Sequence, residues 1–393
     1  MAIENGSLSY MPPENLHQFE QDIAALMGFA GSSDDTLVSP YSPDTRFIEF
    51  WRKANKGFPQ FLSMEQTKAL EANNVNHIVP WGWSYVLKHR LKHLISDLSP
   101  NCYLPDAATT AFRQFFSRQT SVAIAKQLYT KKDRLPAIAH QPYTPQTCCS
   151  SAEVLVFFQN HPQGIILKTL WSSSGRGLFI IRNSKDLDQA ERWIQARIKQ
   201  HQCIIAEPFF DKVQDASFQF IIKPDGSYES LGINYFDADG SGRFQKEHFG
   251  IPPNIQPHLP KDEGWIDDLS ELLIESMQEL NIHLHYQGSV GIDVLFFRNE
   301  AGCIQLMPFI EANLRYNMGL INLLIKKHIH PESTGDWQIT PFKAGEWAEF
   351  CRENLQQYPP VFEDGYLKEG FMPLTPCHAA NRFAAWGFVK APK

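Results

Sequence analysis

Three side chains with oxygen atoms lie close together in one stretch of the sequence, residues 291–313. Asp293 sits in a first apolar run, and Glu311 and Asn313 end a second apolar run. The turn between the runs contains Gly302, so the pattern predicts an antiparallel hairpin. Side chains alternate along a strand, so a register that puts Glu311 opposite Asp293 would bring three oxygen ligands together. Such ligands are typical of Mg²⁺, and acids that face solvent are the alternative interpretation.

A second set of residues surrounds a lysine in an apolar strand. The run 164–169 is apolar apart from Lys168 and Thr169, and a loop of serine, glycine and one arginine follows at residues 172–177. A lysine inside such a strand is costly unless its charge meets a partner. Backbone N–H groups and hydroxyls of the loop, with Lys168 as the point charge, could hold phosphate groups. The Gly-Lys-Ser/Thr of a P-loop is absent, and a hairpin turn with a lysine that reaches out to solvent is the alternative.

A third feature is a strand that ends in Glu207 and Pro208. The preceding run 203–206 is apolar, and proline lacks the N–H group that a central strand donates. A break of this kind is useful where backbone groups must face a flat heterocycle. Further along, the segment 240–247 contains basic residues that could meet a carboxylate, and we interpret it as a solvated loop.

Length and composition restrict the class of protein. A chain of 393 residues is long for one small core and predicts two or three domains. The formal net charge is -7 and no dense Lys/Arg block occurs, so we expect no nucleic-acid partner. No apolar run approaches the roughly 20 residues of a membrane span, so we expect no membrane partner. The seven cysteines are scattered and the N-terminus shows no export signal, which predicts a cytoplasmic protein with reduced thiols.

The elements that must position these residues alternate along the chain. Strands and helices in the first 110 residues predict a small α/β layer with parallel strands. Trp81 and Trp83 follow the second of these strands, where open α/β sheets tend to hold ligands, and core packing is the alternative. The predicted helices are 15–28, 47–56, 84–95, 108–130, 150–160, 185–199, 265–280 and 344–355. The predicted strands are 35–40, 76–80, 164–169, 178–181, 203–208, 216–222, 228–235, the two of the hairpin, 370–376 and 381–389.

The order of these features resembles the ATP-grasp superfamily. The resemblance covers residues 110–330 and rests on four segments: 167–177, 206–210, 291–293 and 311–315. It implies a mixed α/β and α+β architecture, with an ATP-grasp fold after a pre-ATP-grasp-like α/β domain. The implied domains are an N-terminal α/β domain at 1–110, nucleotide-binding and catalytic domains at 111–330, and a C-terminal extension at 331–393 packed on the catalytic domain.

The resemblance also implies a role for each matching residue. Lys168 would contact the nucleotide phosphates, Asp215 the ribose hydroxyls and Arg315 the transferring phosphate. Asp293, Glu311 and Asn313 would bind Mg²⁺, with Mn²⁺ as an alternative. The loop residues that would close over the phosphates are Ser172, Ser173, Ser174, Gly175 and Gly177, and those that would hold adenine are Glu207, Phe209 and Phe210.

One position departs from the family pattern. Family members place a second phosphate-binding lysine at the start of the helix that opens the nucleotide domain, and here Arg118 stands at the matching place. Lys126, two turns later, is the alternative. An arginine still binds phosphate, although its planar fork differs from the point charge of lysine.

The implied activity is that of an ATP-dependent carboxylate–amine ligase that works through an acyl phosphate. Its substrates would be ATP, the carboxylate of a small acid, amino acid or peptide, and an amine. A kinase on the same fold and a nucleotide-binding scaffold without turnover are the alternatives. The sequence leaves open which carboxylate is used and whether the protein forms a homodimer.

Overall fold

Three sheets, of two, four and nine strands, organise the described part of the chain in the computed structural model, namely residues 2–70, 75–95, 105–106, 109–172 and 177–392. The mixture of helices and open sheets confirms the predicted fold class. Within these residues no helix has the length and the apolar character needed to cross a membrane. The predicted loop residues Ser173, Ser174 and Gly175 lie outside the described residues.

The N-terminal part contains a single pair of short parallel strands among helices. The predicted strand at 76–80 is wrong: the described residues there form no strand, and Val79 is 57% exposed, so no sheet buries it. The partner of the first strand is a segment that we did not predict. The strands are β1 Thr36–Val38 and β2 Gln60–Leu62, and the helices are α1 Ala2–Asn5, α2 Glu14–Ile23, α3 Thr45–Arg52, α4 Tyr85–Arg90 and α5 Lys92–Ile95.

A four-stranded antiparallel sheet follows, with the strand order β3-β6-β4-β5. The predicted helix 108–130 is two helices, because Ser117 caps the second one by accepting a hydrogen bond from the backbone N–H of Gln119. Pro208 occupies the last position of its strand, where a missing N–H group costs least. The elements are α6 Thr110–Phe115, α7 Arg118–Thr130, β3 Gln146–Cys148, α8 Ser151–Gln159, β4 Ile165–Thr169, β5 Leu178–Ile181, α9 Leu187–His201 and β6 Ile204–Pro208.

The nine-stranded sheet has the order β11-β10-β7-β8-β9-β12-β15-β14-β13, so the last four strands of the chain extend the sheet of the predicted catalytic region. The domain boundaries at residues 110 and 330 stay predictions. The strands are β7 Asp211–Ile222, β8 Tyr228–Ala238, β9 Phe244–His248, β10 Gly288–Arg298, β11 Ile304–Asn313, β12 Thr334–Pro341, β13 Val361–Glu363, β14 Tyr366–Pro373 and β15 Phe383–Lys390. The helices are α10 Gly264–Glu279, α11 Met318–Lys326 and α12 Glu346–Gln357.

Alternation along the strands gives this sheet two different faces. Phe218 of β7 and Ile292 of β10 are paired across the strands and pack, fully buried, with residues of α7 and α10. The next residues along each strand, Ser217 and Asp293, are also paired and therefore point to the opposite face. One face is the main hydrophobic core, and the other carries a row of polar groups.

Helix α11 covers part of the polar face at very short range. A Cβ atom on Gly319 would lie 2.6 Å from Nε2 of Gln219 and 2.8 Å from Oγ of Ser217, so only glycine fits there. Trp51 of α3 is buried in a second core with Ile321 of α11, and this core joins the N-terminal part to the last strands. Helix α11 thus covers the part of the polar row that Ser217 and Gln219 form, while Asp293 remains half-exposed.

Candidate active site

The hairpin predicted at residues 291–313 is confirmed, and its register, which the sequence left open, places its acids opposite each other. Strands β10 and β11 are antiparallel, and Asp293 stands directly opposite Glu311. A register shift follows between Asp293 and Leu295, where the hairpin pairing is irregular. Directly opposite residues share a face, so the two carboxylates lie side by side on the polar face of the sheet.

Asn313 links this pair to an arginine. Its Nδ2 donates a hydrogen bond of 3.1 Å to Oδ2 of Asp293, and its Oδ1 accepts one of 2.9 Å from Nη2 of Arg315. The amide oxygen therefore faces the guanidinium. The carboxamide must rotate by about half a turn before that oxygen can bind a cation together with Asp293. The structure brings all three predicted metal ligands and Arg315 together.

Arg118 is the second arginine of the site. Its Nε donates to Oε2 of Glu311 at 3.0 Å, and its Nη1 donates to the backbone oxygen of Thr169 at 2.6 Å and to Oγ of Ser172 at 2.7 Å. It therefore ties a metal-site carboxylate to the first part of the loop after β4. Lys126 is exposed and lies eight residues further along α7, about 12 Å at the usual rise per residue, and the structure does not bring it to these groups.

The two facing carboxylates differ in their electrostatic environment. Burial and the neighbouring Glu311 raise the pKa of Asp293 to about 7. Burial also opposes ionisation of Glu311, but Arg118 and Lys168 outweigh it and hold the pKa of Glu311 below its ordinary value. A half-buried pair of acids, of which one is held ionised and the other resists ionisation, attracts a cation. Two carboxylates with one amide form a donor set that fits Mg²⁺.

Arg315 is held from the N-terminal side of the molecule. Its Nη1 donates to the backbone oxygen of Tyr316 at 3.0 Å, and the backbone N–H of Tyr316 donates to the oxygen of Trp81 at 2.9 Å. Burial lowers the pKa of Arg315, while Asp293 and Glu311 counteract this. The core alternative is confirmed for Trp83, which is buried, whereas the Trp81 segment supports the arginine.

Lys168 lies on the other side of the site, in the four-stranded sheet. Its Nζ lies 2.7 Å from Oε2 of Glu207, and the two residues are 4% and 5% exposed. The interpretation of Lys168 as a lysine that reaches out to solvent is therefore wrong. Strands β4 and β6 are neighbours, so a buried lysine on one meets a buried glutamate on the other.

Tyr143 completes this pair and was missed in the sequence. Its hydroxyl donates to Oε2 of Glu207 at 2.6 Å, and burial together with Glu207 raises the pKa of Tyr143. The sequence offers a weak signal, because Tyr143 is an aromatic residue in an otherwise polar, proline-rich connector. The ring centres of Tyr143 and Phe210 lie 5.6 Å apart, and those of Phe210 and Phe297 lie 4.9 Å apart. These tilted rings make an apolar wall beside Glu207.

The described ends of the serine–glycine loop meet above β4. Gly177 has a φ of +75°, and a Cβ atom there would lie 2.3 Å from Oγ1 of Thr169. The backbone N–H of Thr169 donates to the oxygen of Gly177 at 2.9 Å, which closes the base of the loop. A residue other than glycine would be strained in this conformation and would collide with β4.

Asp215 and Phe209 flank the same region. Oδ2 of Asp215 lies 2.7 Å from Nζ of Lys212 and accepts a hydrogen bond of 3.2 Å from the backbone N–H of Ala238. Burial raises the pKa of Asp215 and Lys212 opposes this shift. The guanidinium of Arg182 lies 4.8 Å from the centre of the Phe209 ring. The predicted contacts of both residues with a nucleotide stay predictions.

The polar row continues from the acids to a residue that we did not predict. Ser217 stands opposite both Asp293 and Asn234, and Nδ2 of Asn234 donates to Oε2 of Glu247 at 2.6 Å. The interpretation of residues 240–247 as a solvated loop is wrong for this acid, because Glu247 belongs to β9 and is 1% exposed. Burial raises the pKa of Glu247 well above its ordinary value, and Asn234 opposes this shift.

Asn234 also connects Glu247 with helix α11. Nδ2 of Asn322 in α11 donates a hydrogen bond to Asn234, and Oδ1 of Asn322 accepts one from Trp337.

Solved structures match the chain over most of its length, although no family model and no curated protein matches it. Biotin carboxylase from Campylobacter jejuni, in a β,γ-ATP complex, is 13% identical, with a TM-score of 0.52 over 96% of this chain and 86% of that one. N5-carboxyaminoimidazole synthetase from Staphylococcus aureus is 11% identical, with a TM-score of 0.51 over 95% and 90%. The biotin carboxylase domain of the 2-oxoglutarate carboxylase from Hydrogenobacter thermophilus is 12% identical, with a TM-score of 0.51 over 86% and 77%.

These similarities establish the class of structure. The proteins share a fold across nearly the whole chain despite low identity, and the two sheets with their hairpin acids correspond to the architecture that the resemblance implied. The chain has the ATP-grasp fold, and its particular neighbours are biotin carboxylases and an N5-carboxyaminoimidazole synthetase.

Proposed function

We propose that this protein is an ATP-dependent ligase that joins a carboxylate to an amine through an acyl phosphate. The observation that carries the proposal is the position of Arg315. Its guanidinium contacts Asn313 and lies beside two carboxylates, Asp293 and Glu311, that face each other across a hairpin. A guanidinium next to a cation site suits the transfer of a phosphoryl group to a carboxylate, because both neutralise charge on the same group.

The side chains of this protein would act by placement and charge. Asp293, Glu311 and the amide oxygen of Asn313 would hold the magnesium ions, which neutralise phosphate charge when bound. Lys168 and Arg118 would contact the phosphates from two directions, and Arg315 would steady the transferring group. Each of these cations is already held by a buried acid or a backbone oxygen, so little reorganisation is needed when the substrates arrive.

The solved structures support ATP as a substrate. The Campylobacter jejuni neighbour is a β,γ-ATP complex, and the Hydrogenobacter thermophilus neighbour contains MgADP, ADP and bicarbonate. The amine would attack the acyl phosphate and release phosphate. No side-chain nucleophile is required in this sequence of steps.

The decisive experiment measures the transfer of an oxygen isotope from the substrate carboxylate to inorganic phosphate. Purified protein is incubated with Mg²⁺, ATP and panels of carboxylic acids and amines, and phosphate release identifies the substrates. The active acid is then labelled with ¹⁸O in its carboxylate. An acyl phosphate transfers one labelled oxygen to inorganic phosphate, so labelled phosphate is the expected result.

Other outcomes separate the alternative functions. A stable phosphorylated product without amide formation would identify a kinase instead. Binding of ATP without formation of ADP across the panel would identify a scaffold without turnover. Absence of ATP binding by calorimetry in the presence of Mg²⁺ would remove the proposed function altogether.

A further inference from the structure

Two hydrogen-bond donors converge on the same oxygen of Glu207. Nζ of Lys168 lies 2.7 Å and the hydroxyl of Tyr143 lies 2.6 Å from Oε2. An ionised carboxylate accepts through both of its oxygens, so this arrangement leaves Oε1 as the oxygen that can accept from a ligand. The two donors also fix the rotation of the carboxylate group about its last bond.

The surroundings of Glu207 fit a flat ring. Phe209 and Phe210 follow Glu207 after Pro208, and the rings of Tyr143, Phe210 and Phe297 form a continuous wall. Tyr143 therefore contacts both parts of this surface: its hydroxyl donates to Glu207 and its ring packs near Phe210. A purine base stacked on such a wall would present its edge to the carboxylate.

We propose that Tyr143 is a positioning residue that makes the site select adenine over guanine nucleotides. The inference rests on the proposed function, since it takes Glu207 to lie at the edge of the bound base. Tyr143 holds Glu207 with Oε1 free to accept, and adenine carries an amino donor at position 6. Guanine carries a carbonyl oxygen at that position, and two acceptors facing each other in a buried site repel.

Replacement of Tyr143 by phenylalanine keeps the ring and removes only the hydroxyl. Oε2 of Glu207 is then held by Lys168 alone, the carboxylate can rotate, and the preference for an amino donor weakens. We expect the ratio of ATP affinity to GTP affinity to fall about tenfold, which is the usual effect of one hydrogen bond to a charged group. The loss should come from weaker ATP binding, with GTP binding nearly unchanged.

The measurement is calorimetric titration of the full chain with ATP and with GTP in the presence of Mg²⁺. Tyr129→Phe is the matched control, because Tyr129 is 40% exposed on α7 and lies over Lys132. This control should keep the wild-type ratio. A thermal melt of each variant checks that the compared proteins are folded.

Glu207→Gln is a second, independent test of the ratio of ATP affinity to GTP affinity. Its amide nitrogen can donate to a carbonyl oxygen, so the ratio should shift toward GTP by at least about tenfold. A wild-type ratio in Tyr143→Phe, with a shifted ratio in Glu207→Gln, overturns the role of Tyr143 and leaves the proposed function intact. An unchanged ratio in Glu207→Gln overturns the inference at its base, and a wild-type protein that binds neither nucleotide removes the proposed function itself.

Discussion

Two charged clusters face the candidate site: a buried lysine–glutamate pair with a tyrosine, and a mostly half-buried set of acids and arginines. The lysine cluster consists of Tyr143, Lys168 and Glu207, and the acid cluster consists of Arg118, Asp293, Glu311 and Arg315. In the lysine cluster the only two charges are opposite, lie on neighbouring strands and are 2.7 Å apart. In the acid cluster two like charges stand directly opposite each other on a hairpin. The first cluster is one close ion pair, whereas the facing carboxylates of the second are balanced by arginines on either side.

The pKa shifts express this difference. Within the acid cluster Glu311 is held ionised by Arg118, while burial and Glu311 raise the pKa of Asp293 to about 7. The pKa values of the two facing carboxylates are therefore shifted in opposite directions. Under the proposed function, the lysine cluster would be ready to meet a nucleotide, whereas the acid cluster would take up a cation between its carboxylates.

Loss of an acid from the acid cluster should have the largest effect. Glu311→Gln keeps the shape and an acceptor for Arg118 but removes the charge that binds the cation. We expect kcat/KM to fall on the order of 10³-fold, because metal-ion stabilisation of phosphate charge amounts to several kcal/mol. The melting temperature should stay within a few degrees of wild type.

The matched control for this change is Glu300→Gln, an exposed acid at the turn of the same hairpin. Calorimetric titration with Mn²⁺ in the absence of nucleotide gives a readout that is independent of turnover. Wild-type turnover and wild-type Mn²⁺ affinity in Glu311→Gln would take Glu311 out of the metal site.

Loss of the cation from the lysine cluster should act on both binding and stability. Lys168→Ala removes a phosphate contact and leaves the buried charge of Glu207 with Tyr143 as its remaining partner. We expect the KM for ATP to rise about 100-fold and the free energy of unfolding to fall by about 3 kcal/mol, as for other buried pairs that lose one partner. Lys199→Ala, an exposed lysine on α9, is the control for urea unfolding and steady-state kinetics. An unchanged KM would contradict the phosphate role.

Arg118 connects the acid cluster with the loop after β4, and its geometry can be tested against that of a lysine. Arg118→Lys keeps the charge but cannot reach Glu311, Thr169 and Ser172 together. We expect the KM for ATP to rise about 30-fold from the lost charge-assisted hydrogen bonds. Lys126→Ala should leave it unchanged, and an equal rise in that variant would transfer the phosphate role to Lys126.

The smallest expected effect concerns pH. The carboxylate form of Asp293 binds the cation, and its pKa is about 7 in the folded protein, so Mn²⁺ affinity should rise roughly tenfold between pH 6 and pH 8. The pKa of the folded state lies above the ordinary value of 3.8, so the proton is lost first from the unfolded chain. The contribution of Asp293 to stability therefore falls as pH rises from about 4 to about 7. Asp293→Asn should abolish this slope in apoprotein melts, and an unchanged pH profile would contradict the assigned environment.

Local pattern was sufficient for much of the fold. Alternation of apolar residues and a glycine in the turn predicted the hairpin, because side-chain direction along a strand follows from neighbouring residues. The sequence left the register open, and the structure sets Asp293 opposite Glu311. The strand predicted at 76–80 was wrong, because its apolar residues have no burial partner in the folded protein. A local pattern cannot show whether such a partner exists. The helix 108–130 divides at a cap, Ser117, which the periodicity did not reveal.

The sequence by itself determined which residues carry charge and which strands hold them. Only the tertiary structure decided their partners, because contacts between remote segments depend on how the two sheets and α7 pack together. Arg118 meets Glu311 across 193 residues of sequence, and Tyr143 meets Glu207 across 64. The polar residues of the segment 240–247 suggested a solvated loop. Glu247 is nevertheless buried, because α11 and β12 cover this segment. Burial turns these pairings into strong electrostatic interactions. The apolar strand around Lys168 indicated that its charge needs a partner, but only the tertiary structure identified Glu207 as that partner.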